Sequence, residues 1–598
     1  MLLLLTPLIA PAQQVFNEQG VSIEFSTAAK PVAGEETTVQ FKISGSNDRL
    51  PLSSLRPVAW IDQRQTPQTS ARECKEKVQA FLQANFTRRP TVDLNAYFIL
   101  ALNDDPSISV IDPLSGFGGS KLYTLIPLKS NGEDWVMTAD NKRLYVSMPA
   151  SNQIAVIDVP TWKVIANVDA GPKPARLALQ HDQKYLWVGT DEGVTAIDTV
   201  TSQPAAHLKT GAGPHELAFN DDDTIAFVTN KTAATVTLID IRKLAVSKQL
   251  KPGFAPSTIA FSSLSKTAYV ASDTDKTVLA IGGPKQDVVA RFAVDGGVRA
   301  LASPPGSHFG FALNSSQNLV QIFDVASNRV VHTVPVEPAS DQIMFTKQFA
   351  YVRSPASEFV TLINLGALGK EAAVTRFPAG QRAPGASDSI AAAIVPAPED
   401  GSVLVANPAD EMIYYYTEGM AAPMGSFQNY KRNPRALLVV DNSLHETDRG
   451  VYTSSVRLPA PGVYDVVFLL DSPRLFNCFQ MSVADNPALP TKPQTAIKIE
   501  PLAKQALAKS GEKYALQFKV LDAKSGAPRP NLQDVTVLVF LAPGLWQERE
   551  LAKPAANGVY EISFVPPEAG VYYIFFQIPA LDFQFNQSTP LTLQVVKP

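Results

Sequence analysis

The sequence predicts an all-β protein in which a β-propeller of seven or eight blades, with eight preferred, is inserted into one β-sandwich and followed by a second. Three observations predict this fold class. A short apolar pattern recurs about every 40 residues through the middle of the chain. Segments with alternating apolar and polar residues flank that repeat on both sides. Residues 495–598 repeat the pattern of those flanking segments without interruption.

The composition sets the outer limits of the interpretation. The chain has 598 residues, of which 45% are hydrophobic and 18% charged, so it can bury several cores and should hold more than one domain. A net charge of −4 gives no basic footprint for nucleic acid. The 47 prolines and 33 glycines suit an all-β protein that is rich in turns. No stretch reaches the roughly 20 uninterrupted apolar residues of a transmembrane helix.

Residues 1–13 form an apolar run that ends in the small-residue pattern Ala10-Pro-Ala12. This pattern resembles the apolar region and cleavage site of a secretory signal, although the basic residues that usually precede them are missing. We therefore expect export, to the periplasm or the cell exterior of a bacterium.

The segments that flank the repeat each supply part of a sandwich. Residues 14–65 contain three predicted strands, at 21–25, 38–43 and 57–61, and residues 426–490 contain four more, at 437–440, 451–456, 462–470 and 479–483. In the three strands before the repeat, alternation places one face against a core. We predict that Trp60 and Phe468, from opposite ends of the chain, lie in one core together with the strand of Tyr464.

Residues 495–598 contain the same strand pattern in one piece, which supports joining the two flanking halves. Residues 515–520 repeat the pattern of 38–43, and residues 558–576 repeat that of 450–468. Both copies resemble immunoglobulin-like sandwiches. We infer that the propeller is inserted into the first sandwich, because a closed ring brings its two ends together. The alternative is three domains in series, with an incomplete first sandwich.

The linker of residues 66–94 contains the one convincing helix, at 70–85. Ser70 is a candidate N-cap with Glu73 three residues later. The spacing of Cys74, Val78, Phe81 and Leu82 places them on a single face.

The two cysteines, Cys74 and Cys478, allow at most one internal disulfide. An exported protein could join them, closing a very long loop. The alternative is two separately buried thiols, since free cysteine packs as a small hydrophobic residue.

The repeat itself occupies residues 95–425. Its central triplet recurs at 144–146, 186–188, 226–228, 268–270, 310–312 and 350–352, with looser copies at 98–100 and 403–405. A further strand ends in an Ile-Asp pattern at 111–112, 157–158, 197–198 and 239–240. Three or four short strands per unit of about 40 residues are the signature of a β-propeller, in which each small sheet covers the next. Eight triplets predict eight blades; if the first and last units combine into one composite blade, the number is seven.

One unit carries the motif most clearly, in Gly213-Pro-His-Glu216 and Phe227-Val-Thr-Asn230. It resembles the YVTN family of bacterial propellers and, more distantly, the haem-carrying propeller of dissimilatory nitrite reductases. The resemblance covers roughly residues 95–420 and implies a propeller fold. Function does not follow from it, because these strands are packing motifs.

Candidate chemistry is sparse. His181 and His215 lie where the repeat turns between strands, and such turns line one mouth of a propeller. By resemblance to the nitrite reductases either could ligate haem or a metal, and the alternative is a solvated turn residue. Cys478, Met481 and His445 are soft ligand types, but a copper site usually needs two histidines and a thiolate.

Two acidic clusters, at 104–105 and 221–223, lack the alternating spacing of a calcium loop and are interpreted as turn residues. We therefore predict neither a metal site nor a catalytic site.

The sequence leaves two functions open. The first is an exported non-catalytic binding or scaffold protein, an accessory subunit of a larger assembly whose partners are other proteins. The second is a redox or cofactor-handling protein with a noncovalent haem-like tetrapyrrole in the propeller mouth. The absence of the common catalytic and phosphate-binding motifs from the sequence favours the first.

Overall fold

The structure is a computed structural model. It describes residues 13–64, 71–82, 90–95, 97–113, 121–304, 306–370, 372–382, 389–399, 401–487, 497–502, 507–523, 525–541, 546–578, 581, 583, 585 and 591–597. The signal-like segment of residues 1–12 and the predicted N-cap Ser70 lie outside these ranges. The chain divides into two compact units, one of residues 97–113 and 122–441 and the other of the remaining residues.

In its described residues, the segment before the propeller contains five strands and a helix. They are β1 (Gln14–Glu18), β2 (Val21–Thr27), β3 (Glu36–Gly45), β4 (Val58–Gln63), α1 (Ala71–Leu82) and β5 (Val92–Asp93). Residues 70 and 83–85 of the predicted helix lie outside the described residues, so its predicted bounds are not tested.

The propeller consists of eight four-stranded antiparallel sheets within the described residues. Its first seven strands are β6 (Tyr97–Asn103), β7 (Ser107–Ile111), β8 (Leu122–Pro127), β9 (Trp135–Met137), β10 (Arg143–Met148), β11 (Gln153–Asp158) and β12 (Lys163–Asp169). Blades 3, 4 and 5 follow as β13 (Leu177–Leu179), β14 (Tyr185–Thr190), β15 (Gly193–Asp198), β16 (Gln203–Leu208), β17 (Leu217–Phe219), β18 (Ile225–Asn230), β19 (Thr235–Asp240), β20 (Ala245–Leu250), β21 (Thr258–Ser262), β22 (Thr267–Ala271), β23 (Thr277–Gly282) and β24 (Asp287–Ala293). Blades 6, 7 and 8 are β25 (Ala300–Ala302), β26 (Phe309–Asn314), β27 (Leu319–Asp324), β28 (Arg329–Pro335), β29 (Gln342–Phe345), β30 (Phe349–Arg353), β31 (Phe359–Asn364), β32 (Val374–Pro378), β33 (Ile394–Pro396), β34 (Ser402–Asn407), β35 (Met412–Thr417) and β36 (Gly425–Gln428). Short 3-10 helices lie at Pro149–Ser151, Val159–Thr161 and Leu365–Ala367.

Blade 1 is built from both ends of the propeller and closes it. Its innermost strand is β37 (Pro434–Asp441), which pairs antiparallel with β6 and is followed outward by β7 and β8. Blade 8, from β33 to β36, is complete without it. The prediction of a propeller with eight blades is therefore confirmed.

Hydrophobic clusters lie between all eight pairs of neighbouring blades. The series runs from blades 1 and 2 round to blades 8 and 1. Each blade thus buries both faces, which explains why the central strands are apolar at successive positions rather than at alternate ones. The Phe-Val-Thr-Asn motif shows this, because Phe227 and Val228 are both fully buried although they point to opposite faces.

The assignment of residues 437–440 to the sandwich was wrong. Leu437 pairs with Ala101 in blade 1 and is 1% exposed. Four successive apolar residues suit a strand covered on both faces, and blade 1 supplies that environment. The propeller therefore extends past the predicted boundary at 425, to Asp441.

The first sandwich combines strands from before and after the propeller. The later strands are β38 (His445–Asp448), β39 (Val451–Arg457), β40 (Gly462–Leu470) and β41 (Leu475–Val483). One sheet has the order β1-β2-β3-β39-β38 and the other β41-β40-β4-β5. The two sheets share one core, in which Phe25 and Phe41 from before the propeller contact Phe468 and Phe479 from after it.

Trp60 does not belong to that core, contrary to the prediction. Ala59 pairs with Phe468 and Trp60 with Val467, so the alternation along β4 points Trp60 away from Phe468. Trp60 lies instead on the opposite face of the sheet, in a small cluster with Val78 of α1.

The second sandwich is continuous in sequence. Its strands are β42 (Ile497–Pro501), β43 (Leu507–Lys509), β44 (Tyr514–Asp522), β45 (Thr536–Leu541), β46 (Trp546–Leu551), β47 (Lys553–Pro554), β48 (Val559–Phe564), β49 (Gly570–Gln577) and β50 (Leu591–Val596), with a 3-10 turn at Ala556–Gly558. They form the sheets β42-β44-β48-β47 and β43-β50-β49-β45-β46.

Equivalent tyrosines support the internal repeat between the sandwiches. The hydroxyl of Tyr464 donates to the main-chain oxygen of Ala460 over 2.8 Å, and that of Tyr572 donates to Glu568, also four residues upstream, over 2.9 Å. The immunoglobulin-like assignment of both sandwiches stays a prediction.

Candidate functional site

The innermost strand is the first strand of blades 2 to 8 and β37 in blade 1, since these strands contact one another between neighbouring blades. Because every blade repeats the same strand order, these innermost strands surround the central channel and all run in the same direction along it. We call the end of the channel where they begin the near end, and the end where they finish the far end.

At three places at the near end, a side chain links one blade to the next. Leu177 N donates to Asp134 Oδ2 over 2.9 Å, from blade 3 to blade 2. Leu301 N donates to Thr258 Oγ1 over 3.0 Å, from blade 6 to blade 5. Similarly, Ala393 N of blade 8 donates to the side-chain oxygen of a blade 7 glutamine over 2.7 Å. In each of these places, a side chain at the start of one inner strand accepts a hydrogen bond from a main-chain amide of the next inner strand.

Arg176 is the centre of the charged part of this end. Its guanidinium pairs with Asp134 of blade 2, at 3.3 Å, and with Glu216 of blade 4. Burial raises the pKa of Asp134, although Arg176 and two main-chain amides act in the opposite direction. Burial alone would lower the pKa of Arg176, but Glu216 and Asp134 outweigh it and the pKa is raised. Arg176 therefore stays charged between two carboxylates.

A five-residue strap, residues 389–393, crosses the near end. Arg176 of blade 3 donates to its Ile390 oxygen over 2.9 Å. From blade 7, Gln342 Nε2 donates to the oxygens of Ser389 and Ala391 over 3.1 and 2.8 Å. Leu437 N of blade 1 donates to the strap as well, and Ala391 lies in the cluster between blades 1 and 2. The strap is therefore fixed to widely separated blades.

Three further ion pairs occupy the near end. Arg353 and Asp341 join at 2.7 Å within blade 7, and both side chains are less than a tenth exposed. Arg435 of blade 1 pairs with Glu133 at 3.2 Å and with Asp104 at 3.3 Å. The charged side chains of these pairs thus face one another.

The two candidate histidines lie at opposite ends of the channel, which corrects their placement at one mouth. His215 precedes β17 and is 5% exposed, and its Nδ1 contacts the main-chain oxygen of Thr229 at 2.9 Å. His181 contacts Asp223, beyond the other end of β17, with 2.7 Å between Nδ1 and Oδ1. Its ring also meets the edge of Phe219. His181 therefore ties blade 3 to blade 4 at the far end.

The two histidines differ in their exposure. The Nε2 atom of His215 is buried, and a Cβ placed on Gly213 would lie only 2.8 Å from it, so this side chain is closely packed. His181 is 59% exposed, and its Nδ1 is held by Asp223. Within the described residues, no group of three or more His, Cys, Asp or Glu side chains is arranged to hold a metal ion.

The other metal interpretations gain no support from the geometry. Cys74 and Cys478 form a disulfide, with their Cα atoms 5.9 Å apart, so Cys478 is not available as a thiolate. Met481 lies in the core of the first sandwich, and His445 is exposed on β38.

The acidic clusters are paired as turn residues would be. Asp105 accepts from Ser107, and Asp223 accepts from the Asp182 amide as well as from His181. Asp221 accepts from Ser263 over 2.5 Å and pairs with Lys266, at the edge of a cavity of about 270 Å³ between blades 4 and 5. Neighbouring donors therefore occupy these carboxylates.

The outer rim of the ring carries a repeated irregularity. In blades 1 to 6 the pairing of the outermost strand skips one residue near its start, which forms a β-bulge. The skipped residues are Tyr123, Ile165, Ala205, Ser247, Val289 and Val331. Such bulges twist an edge strand away from edge-to-edge pairing. Four of the six side chains are apolar and between 43% and 56% exposed: Tyr123, Ile165, Val289 and Val331.

Sequence reasoning missed Arg176, its two carboxylate partners and the strap. A charged or polar residue stands immediately before the apolar inner strand in several units, and that recurrence is the signal that could have indicated the near-end links. The repeat pattern contains no signal that predicts the strap of residues 389–393.

Comparison with known proteins agrees with this fold. Residues 193–360 match the family model of the lactonases, described as a seven-bladed β-propeller. The matched stretch runs from β15 to β31, so it covers part of the ring and does not decide the number of blades. No curated protein matches the chain in sequence.

Several solved structures are similar to this chain at low sequence identity. Apo AztD from Citrobacter koseri is 14% identical, with a TM-score of 0.46, covering 58% of this chain and 98% of that one. The dihydro-haem d1 dehydrogenase NirN, solved with DHE, is 14% identical, with a TM-score of 0.48, covering 60% and 78%. A functionally unknown protein from Desulfotomaculum acetoxidans is 12% identical, with a TM-score of 0.40, covering 58% and 99%.

No helix in the described ranges has the length and apolar character needed to cross a bilayer.

Proposed function

We propose that this chain is an exported, non-catalytic propeller protein that binds other proteins and serves as an accessory subunit of a larger periplasmic or cell-surface assembly. The observation that carries the proposal is the rim of exposed apolar side chains at equivalent bulges. A bulge turns its extra side chain outward at a fixed position, so the ring presents similar apolar contacts in blades 1, 2, 5 and 6. Exposed apolar groups repeated on a rigid scaffold suit protein contacts better than a small-molecule site.

The ends of the channel support the same function. Arg176 at the near end and His181 at the far end each connect neighbouring blades. Groups used in this way hold the ring together. Export is supported by the Cys74–Cys478 disulfide, because disulfides persist in oxidising compartments.

The test compares rim variants in the native organism. In a gentle extract the wild-type chain should sediment in an assembly larger than the free chain, and Val289→Thr with Val331→Thr should shift it toward the free chain. Val200→Thr is the matched control, since Val200 is 91% exposed in a turn between β15 and β16 and is not a bulge residue. A wild-type chain that sediments alone contradicts the proposal.

The cofactor alternative has its own readout. A Soret band in the absorbance spectrum of protein purified from the native source would favour a haem-like tetrapyrrole over the scaffold function. We expect a featureless visible spectrum.

A further inference from the structure

We propose that the outer face of one sheet in the second sandwich is a docking site for an acidic amphipathic helix of a partner protein. The sheet is β43-β50-β49-β45-β46. This surface is separate from the rim of the propeller, so the inference does not depend on the proposed function. It rests on the apolar character of the face, on the internal repeat between the sandwiches and on the charges around the face.

The outer face of this sheet carries a cluster of aromatic and aliphatic side chains. Alternation along β45 and β49 sends Val539 and Ile574 into the core and their neighbours outward. The outward neighbours at the centre are partly exposed: Leu538, Phe540, Tyr573 and Phe575. Three further apolar side chains toward the edges are between 39% and 63% exposed: Leu507, Leu551 and Val571. The face is therefore apolar but only partly shielded from water.

The other sheet of the same sandwich has a polar outer face. The outward side chains of β44 and β48 include Gln517 and Glu561, and Gln517 Nε2 donates to Glu561 Oε2 over 2.6 Å. Antiparallel sheets commonly pack one face on a core and expose a polar face to water. The five-stranded sheet departs from this pattern, and exposed apolar patches on a folded protein mark contacts with other molecules.

The internal repeat indicates which element covers such a face. Aligned on their equivalent tyrosines, the two sandwiches place Phe575 where the first has Val467. The strand partners of these residues, Leu538 and Trp60, correspond as well. In the first sandwich Val78 of α1 packs with Trp60 and Val467, which are 1% and 0% exposed. An α-helix is therefore the element that this chain itself uses to cover the face.

The second face lacks such a helix among the described residues. Within the described parts of 497–597 the helical structure is one 3-10 turn, at Ala556–Gly558. The first sandwich has the carboxylates Asp62 and Asp465 where the second has Phe540 and Tyr573. The second face is thus the more apolar of the two at these positions. A helix supplied by another protein would bury this apolar surface, which stabilises a complex.

The charges on the face determine the chemistry of the helix. Among the outward side chains of the five strands as described, none is Asp or Glu, and the cations are Arg549 and Lys509. Arg549 lies opposite Leu538 and over the ring of Phe585, so its exposed side chain borders the apolar cluster. Lys509 is at the other edge, and its exposed pair with Glu512 at 3.8 Å contributes little. A helix with carboxylates beside an apolar stripe therefore complements this face.

The experiment is site-specific photo-cross-linking of the full-length chain in its native organism. The chain carries p-benzoylphenylalanine in place of Phe540, and mass spectrometry identifies the peptide that is joined to it. We expect one dominant peptide of another protein, with apolar residues at helical spacing and Asp or Glu beside them. The same amino acid in place of Gln517, on the polar face of the other sheet, is the control and should not give this product.

Charge reversal tests whether the face selects an acidic helix. Arg549→Glu in the cross-linking chain should lower the yield at least about fivefold, because like charges repel across the contact. Lys498→Glu, on the outer face of the other sheet, is the matched control and should leave the yield unchanged. Circular dichroism checks that both variants fold. An equal loss in the two variants overturns the proposal.

Other occupants would be recognised by the same measurement. A cross-link to a second copy of this chain, within one chain, or to a partner peptide with a strand pattern overturns the proposal. A helix whose polar residues are basic overturns it as well, and so does a folded chain that gives no product. Sedimentation of the rim variants tests the proposed function separately, so either inference can fail without the other.

Discussion

The guanidinium of Arg176 donates to the main-chain oxygen of Ile390 over 2.9 Å, so a residue of blade 3 holds the strap that leads into blade 8. The same guanidinium pairs with Asp134, which is 4% exposed. One side chain thus connects the strap to the ion pairs that join blades 2, 3 and 4.

Replacing Arg176 by Ala should lower the free energy of unfolding by about 3 kcal/mol, the lower end of the cost of breaking a buried pair, because this guanidinium is 24% exposed. The reason is that Asp134 would be left buried without its cation. Urea denaturation measures the change. Lys173→Ala, which removes an exposed pair with Asp191, is the control and should cost about 0 to 1 kcal/mol.

A double variant tests the cause. Arg176→Met combined with Asp134→Asn removes both charges and should destabilise less than Arg176→Ala alone. A larger loss in the double variant would show that the links to Ile390 and Leu177, rather than the buried charge, dominate.

Ring closure by β37 predicts a sharp boundary for a stable propeller. A chain of residues 95–441 should unfold cooperatively, whereas residues 95–425 should not, because blade 1 would lack its inner strand and Leu437 its place in the cluster between blades 8 and 1. Thermal denaturation followed by circular dichroism compares them. A peptide of residues 426–441 added to the shorter chain should restore a cooperative transition, and equal midpoints without the peptide would contradict the closure.

The ring could be predicted from sequence because every repeat packs against its neighbours in the same way. The strand that closes the ring could not be predicted, since residues 437–440 are apolar at every position and fit either a sandwich or a blade. The face of Trp60 was equally undetermined: Val58 and Trp60 on one face of β4, and Ala59 and Ile61 on the other, are all apolar. Arg176 was missed because a charged residue before a strand is normally interpreted as a solvated turn residue. Its partners lie in other blades, and the sequence does not show which residues they are.

Trp60→Ala should cost about 3 to 5 kcal/mol in the first sandwich, as large-to-small changes of buried residues do. The loss should fall on the contact with α1 rather than on the main core, because Trp60 packs against Val78. Hydrogen exchange should therefore rise first in residues 71–82. Phe468→Ala is the comparison, and we expect it to loosen β2 and β3 instead, since Phe468 contacts Phe41. The same exchange pattern in both variants would contradict the separation of the two clusters.

His215 predicts a pH dependence of stability. Burial lowers the pKa of His215 below its ordinary value of about 6.5. The unfolded chain therefore binds a proton at a higher pH than the folded chain does. The contribution of His215 to stability is complete above about pH 6.5 and is lost as the pH falls from there through the lower pKa of the folded state.

Urea denaturation at pH 8 and pH 5 measures this contribution. His215→Asn retains a side-chain N–H that can donate to Thr229 but does not titrate, so it should show a smaller loss of unfolding free energy between the two pH values than the wild type. His445→Gln, which changes an exposed histidine of the sandwich, controls for the removal of one histidine. An equal loss in the wild type and in His215→Asn would show that other groups cause the acid sensitivity.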